Sequence, residues 1–429
     1  MARPARRSGR QAQVAGLLVG LLQACATVGP PPGGPPDKEP PKIVSVTPDS
    51  GAVVPNFKDD IVIQFDDVID EMEGGGGRGN RGGALSGLER QVMLSPVHGD
   101  VNVSWHRSKV TVKPKEGWKK RVYRLEILPG FRDLRRNRYD STKTVVFSTG
   151  PEIGHARIGG IALKWIEQTI LARALIEAVP LPDSAGYLTM ADSGGQFNLT
   201  NLQPGHYIVY ATADENGDRR RASREAYDSI EVTLDSSSNV ALFTFPHDTV
   251  PPRPRAATFV DSTTVRVEFT QALEPTAALD TAHVHVLQMP DSTPVAVAEV
   301  FTERQFDSLT NAARAKADSA KADSAKAPKD TVAPRPAPPP SPARGRPAAR
   351  PSGRPPVDTA LVRQLLARRA VPSDKIVVRM AHPLKPETRY VVRVEGATNL
   401  IGKKGEGLIG FAAPKPVRAD TTHAPRRTP

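Results

Sequence analysis

Four oxygen-bearing side chains, Asp214, Asn216, Asp218 and Glu225 of "DENGDRRRASRE", stand at positions 1, 3, 5 and 12 of one short run. That spacing lets a calcium-binding loop wrap hard oxygen ligands around a hard cation. The run departs from the pattern at position 6, where Arg219 replaces the glycine of the sharp turn, and Arg219, Arg220 and Arg221 would repel the ion. Asp and Asn side chains also accept hydrogen bonds from the turns they occupy, so a turn is the preferred reading and calcium its alternative. His283 and His285 lie two apart on an expected strand, but no third His or Cys accompanies them at ligand spacing, and solvated strand histidines are preferred. The single cysteine, Cys25, cannot form a disulfide within the chain. No nucleophile elbow, His-Glu helix motif or phosphate-cradling glycine loop followed by lysine is present, so no enzymatic activity and no cofactor are expected.

The elements that must position these residues read as strands. "IVIQF" (Ile61 to Phe65), "VNVSW" from Val101, "KVTVK" from Lys109, "VYRLEIL" from Val122 and "TVVFST" from Thr144 are short runs, alternating or rich in β-branched residues, separated by turn residues. Such runs predict antiparallel β-sandwiches. The glycine-rich "GGGGRGNRGG" (Gly74 to Gly83) cannot be a strand interior and is expected to be a mobile loop.

An internal repeat sets the domain plan: "SKVTVKPKEGWKKRVYRLEI" (Ser108 to Ile127) parallels "DKIVVRMAHPLKPETRYVVRV" (Asp374 to Val394). Upstream, "PPKIVSVTPDSG" before "IVIQF" is echoed by "PPRPRAATFVDS" before "VRVEF", and downstream "RDLRRN" matches "TNLIGKKG". Two copies of one domain are therefore expected, at 42–150 and 248–416. Residues 302–371, with repeated "AKADS" units, a proline-rich basic tract and the amphipathic "DTALVRQLLARRA", interrupt the second copy in an inter-strand loop. This insertion is expected to be disordered and its deletion to leave folding intact, because loop closure costs grow only slowly with length. Between the copies, 151–247 contains "DSGGQFNLTNLQPGHYIVYATADENGD", in which Phe197 and Leu199, then Tyr207, Val209 and Ala211, alternate about a Pro204-Gly205 turn. A flexible tail is expected at 417–429.

The repeated unit resembles the bacterial Ig-like domain of the S-layer-protein type, on "LKPETRYVVRVEGATNLIGKKG" and "VYRLEILPGFRDLRRN...VVFSTG". The middle unit resembles the carboxypeptidase-regulatory-like, transthyretin-like sandwich, with Gln203 in place of its first proline. The fold class these resemblances imply is all-β, with three tandem β-sandwich domains: Ig-like, transthyretin-like and Ig-like. At the start, Arg3, Arg6, Arg7 and Arg10 precede the apolar Val14 to Leu22, which reads as a secretory signal over 1–24. Its ending "Leu22-Gln23-Ala24-Cys25" resembles the lipobox of bacterial lipoproteins. That resemblance implies cleavage before Cys25 and a diacylglycerol on its sulfur, with two or more acyl chains giving stable membrane anchoring. Ala26, in place of aspartate, points to the outer membrane, and residues 25–41 form a Pro/Gly tether.

Of the formal charge of +12, Arg3, Arg6, Arg7 and Arg10 supply about a third, and the proline-rich tract at Lys329 to Arg354 supplies much of the rest. The basic residues thus form no folded face, and no nucleic-acid partner is expected. The sequence-based expectation is a lipid-anchored, non-enzymatic binding or adhesion-type module for protein or glycan partners. The alternative is a spacer or scaffold that links the outer membrane to the cell wall or to an envelope complex.

Overall fold

The computed structural model describes residues 37–70, 85, 87–324 and 359–415. The signal, Cys25, most of the tether, the glycine run at 74–83 and the tail at 417–429 lie outside the described residues.

The first sandwich contains β1 (Ile43–Thr47), β2 (Ile61–Phe65), β3 (Val92–Ser95), β4 (Val101–His106), β5 (Lys109–Pro114), β6 (Val122–Ile127) and β7 (Lys143–Ser148). One sheet runs β1-β2-β5-β4 and the other β3-β6-β7. Period-2 alternation places Ile61, Ile63 and Phe65 inward, and Ile61 pairs Val112 and Ile63 pairs Val110. Across the core they meet Tyr123, Leu125, Ile127 and Phe147, all fully buried.

The second sandwich contains β8 (Ala156–Lys164), β9 (Thr169–Ile170), β10 (Leu175–Pro180), β11 (Tyr187–Met190), β12 (Gln196–Leu202), β13 (Gly205–Thr212), β14 (Tyr227–Leu234) and β15 (Ser237–Thr244). Its sheets run β11-β10-β13-β14 and β12-β8-β15, with β9 on β8 and β15 parallel to β8. The sequence "GG" in β8 has a steric cause: a Cβ on Gly160 would lie 2.2 Å from the Val240 carbonyl oxygen.

The third sandwich contains β16 (Pro254–Asp261), β17 (Thr264–Leu273), β18 (Val284–Gln288), β19 (Thr293–Val295), β20 (Val297–Thr302), α1 (Glu303–Ser324), α2 (Thr359–Ala367), β21 (Ser373–Met380), β22 (Arg389–Thr398) and β23 (Lys404–Ala412). The orders β16-β17-β21-β20 and β19-β18-β22-β23 reproduce those of the first sandwich, with β19 added at one edge. Equivalent tyrosines carry equivalent bonds: Tyr123 Oη accepts from Lys119 N and Tyr390 Oη from Lys385 N, each at 2.8 Å. These bonds satisfy a phenol whose ring fills the core. A Cβ on Gly405 would lie 2.0 Å from the Pro252 carbonyl oxygen, so glycine there lets the domain's first segment cross β23.

The insertion differs from its expected form. In the first sandwich, β4 and β5 are joined through Arg107 and Ser108, with Arg107 at φ 53°; the equivalent strands β20 and β21 are joined through the whole insertion. Thr302 pairs with Ile376 as part of β20, residues 303–324 and 359–367 are helical, and 325–358 lie outside the described residues. Ala and Lys, three of every five residues in the "AKADS" units, are good helix formers, and Phe306, 7% exposed, fastens α1 beside Phe301.

Candidate functional site

Polar chemistry concentrates where the first two sandwiches meet. On β6, Tyr123, Leu125 and Ile127 face their own core, so Val122, Arg124 and Glu126 face outward, yet all six residues are buried. Domain 2 supplies the cover. Arg124 donates from Nε and Nη2 to Glu126 Oε1 at 2.9 and 2.8 Å, and Thr189 Oγ1 of β11 donates to the same oxygen at 2.7 Å. Arg124 Nη1 reaches Thr200 Oγ1 at 3.4 Å, and Leu188 N donates to Ser95 Oγ at 3.0 Å. A desolvated ion pair that also bonds Thr189 and Thr200 of the second domain favours one register of the two domains.

The loop "DENGDRRRASRE" joins β13 to β14 beside this pair. Asp214 Oδ1 accepts from Gly217 N (2.8 Å) and Asp218 N (3.2 Å), and its Oδ2 accepts from Arg219 N (3.0 Å). Asn216 Oδ1 accepts from Asp218 N, and Asp218 Oδ1 from Arg220 N, both at 2.8 Å. Glu225 lies apart, its Oε2 accepting from Ala222 N at 3.1 Å. Asp214, Asn216 and Asp218 therefore come together around backbone donors, and Asp214, Asp218 and Glu225 do not form a three-carboxylate group.

The arginines of this loop reach the neighbouring domain and the surrounding strands. Arg219 donates from Nη1 to the Val92 carbonyl on the outer edge of β3 and from Nη2 to the Arg90 carbonyl. Burial pulls its pKa down to about 10, opposed by Asp214 and Glu126, which leaves it a cation at neutral pH. Arg220 binds Asp100, which also takes Lys115 at 2.8 Å; Arg221 lies 3.7 Å from Glu177 and 3.6 Å over the Tyr210 ring. Burial pushes the Glu177 carboxyl above its ordinary range, with Arg221 opposing. These groups border a cleft of about 470 Å³ whose apolar walls include Val92, Leu94, Val97 and Leu188. The arrangement holds two domains together. The sequence reading did not pick out Arg124, Glu126 or Arg219 as a joint, although "RLE" inside an apolar strand was the available signal: charges on one strand face are buried only against a partner.

One acidic group among the described residues is tight enough to share a cation: Asp37, Asp67 and Asp133, with ligand atoms within 4.8 Å of one another. Asp133 is fully buried, and its oxygens accept from Arg135 N, Asn137 N and Asn137 Nδ2 at 2.7–2.8 Å. Its counterpart in the third sandwich is Asn399, whose Oδ1 accepts from Ile401 N and Lys403 N while Nδ2 donates to Asp248 O and Gln271 Oε1. His283 donates from Nδ1 to Asp280 at 2.6 Å, and His285 is exposed; neither joins a metal-ligating group.

At the second junction, His247 lies between the rings of Tyr227 (3.7 Å, 7°) and Phe245 (4.3 Å, 21°), with Nδ1 donating to the Phe245 carbonyl at 3.1 Å. Burial lowers its pKa below 6.5, with Arg221 adding to the lowering and Asp228 opposing. A histidine that is harder to protonate folded than unfolded contributes stability above pH of about 6.5 that is lost as pH falls. The melting temperature of the second domain is thus expected to drop between pH 7 and pH 5 by more in the natural chain than in His247→Phe. Equal drops would count against this assignment.

Residues 37–149 match the family model of a bacterial Ig-like domain. The first sandwich is thus similar to that family over about a quarter of the chain. No curated protein matches the chain. Solved structures with similarity include the N-terminal part of the bacterial S-layer protein SbsC (12% identity, 39% of this chain and 24% of that one, TM-score 0.20). Domains 1–6 of the surface layer protein SbsC give 9% identity, 88% of this chain, 55% of that one and a TM-score of 0.17. The major pilin subunit of Bacillus cereus, BcpA, gives 10%, 48%, 70% and 0.17. This chain spans about a quarter of the first of these, and TM-scores of this size carry no functional argument.

Proposed function

We propose that the protein is a non-enzymatic structural module of the cell envelope, anchored to the outer membrane through a lipidated Cys25. It holds its distal sandwich away from the bilayer and toward the cell wall or an envelope complex. The observation that carries this reading is the first joint: Arg124, Glu126, Thr189 and Arg219 bind one domain to the next, which suits a load-bearing spacer. The middle sandwich is read as transthyretin-like, from "GQFNLTNLQPGHYIVYATADENGD".

The test is fractionation of cells expressing the natural chain and Cys25→Ser. The natural chain is expected in outer-membrane fractions with label from radioactive palmitate, and the variant unlabelled in the soluble fraction. A variant that stays membrane-bound would overturn the anchor. A second reading, a binding module for protein or glycan, is favoured by the cleft of about 470 Å³ between the first two domains. Glycan binding by the purified chain that is removed by Ser184→Trp, a bulky change at an exposed residue lining the cleft, would favour that reading over the spacer.

A further inference from the structure

The outer face of the sheet β12-β8-β15 is unusual for a sandwich. Alternation puts Ile158 and Ala162 of β8 and Leu242 of β15 in the domain core, so Ile161, Leu163 and Phe243 point the other way. An outward face of a sheet is ordinarily solvated. Here Ile161 is 5% exposed and Leu163 fully buried.

The cover comes from the third domain's insertion. In "TALVRQLLARRA", Val362, Leu365, Leu366 and Arg369 occupy positions i, i+3, i+4 and i+7, one face of a helix. In the structure these four are buried or half-buried, and Leu361, Arg363, Gln364, Ala367 and Arg368 are exposed. Val362, Leu365 and Leu366 of α2 pack with Ile161, Leu163, Ile170, Ala241 and Phe243 of the second domain. Beyond the helix, Arg369 stacks 3.6 Å over the Trp165 ring, and Trp165 Nε1 donates to the Ala370 carbonyl at 3.0 Å. The chain then enters β21 at Ser373. At the other end, α1 is held to the third domain by Phe306 and by Glu303, which lies 3.1 Å from Arg266.

We infer that the outer face of β8, β9 and β15 is a helix-docking groove, filled within the chain by α2, and that α2 acts as a strap setting the angle between the second and third sandwiches. The groove recognises an amphipathic helix of pattern Val-x-x-Leu-Leu-x-x-Arg: three aliphatic anchors enter it, and the arginine closes over Trp165. The few residues between α2 and β21 give the contact little slack, so the docked helix restricts how the third domain can turn. This inference asks nothing of the lipid anchor or of the spacer role, and its failure would leave that proposal standing.

The test uses the chain with Cys25→Ser, spin-labelled at Ser236→Cys in the second domain and Ser262→Cys in the third, both exposed positions. A single narrow distance distribution is expected, and Leu366→Asp is expected to widen it by about twofold or more as the domains begin to turn. An unchanged distribution overturns the strap. A fluorescent peptide of residues 358–371 controls for a variant that merely misfolds. It should bind the Leu366→Asp chain, whose groove is vacated, and not the natural chain, whose groove is filled. Failure to bind the variant overturns the groove.

Discussion

Glu126→Ala is expected to lower the stability of the joined first and second domains by about 3–5 kcal/mol, the range for removing one member of a buried ion pair. Arg124 is 5% exposed and Glu126 3%, so the truncation strands a guanidinium where water cannot reach it and leaves Thr189 Oγ1 without its acceptor. The measurement is the urea midpoint of the first unfolding transition, with hydrogen exchange of β3, β6 and β11 to locate the loss. The double variant Arg124→Met, Glu126→Leu separates two explanations. Replacing both charges by apolar groups removes the stranded charge and should cost less than the single change. A double variant as unstable as Glu126→Ala would mean that packing volume holds this interface, and the ion pair would lose its assigned role.

The second large effect is expected at Asn399→Asp in the third domain, again about 3–5 kcal/mol at neutral pH. Asn399 is 1% exposed, and its Nδ2 donates to Asp248 O at 2.8 Å, Val250 O at 3.4 Å and Gln271 Oε1 at 3.2 Å. A carboxylate oxygen in that place would face three acceptors. Burial among acceptors raises the folded-state pKa of the new acid, so the folded state binds the proton more tightly than the unfolded state. The penalty should therefore be largest at neutral pH and shrink as pH falls. Thermal unfolding at pH 7 and pH 5 checks it, and a penalty that does not shrink in acid would sink the argument. Position 133 in the first domain already carries the acid, and Asp133→Asn there keeps an oxygen for the Arg135 and Asn137 amides, so a smaller effect is expected.

That contrast also shows how far the repeat could be read. The match of "RDLRRN" to "TNLIGKKG" locates the same turn in both copies, because an Asp or Asn oxygen capping amides two and four residues ahead is a local device. The strands were legible for a similar reason: "IVIQF" and "KVTVK" carry their inward faces in their alternation, and their register follows from it. The helix at 359–367 was legible as an amphipathic stretch, but it was expected within a disordered insertion because nothing nearby in sequence offers its apolar face a partner. That partner lies about 200 residues upstream, on β8.

The sequence by itself determined the all-β class, the inward faces of the strands and the local turns capped by Asp133 and Asn399. All of these rest on periodicity and on hydrogen bonds between residues a few positions apart. Tertiary structure alone decided that Arg124 and Glu126 would be an interior pair, that the three arginines after Asp218 would bridge domains and strands, and that α2 would lie on a domain other than its own. Each of these depends on two surfaces brought together from distant parts of the chain. A charge or an apolar stripe reads the same in sequence whether water or another domain covers it, and only the covering sets its energy.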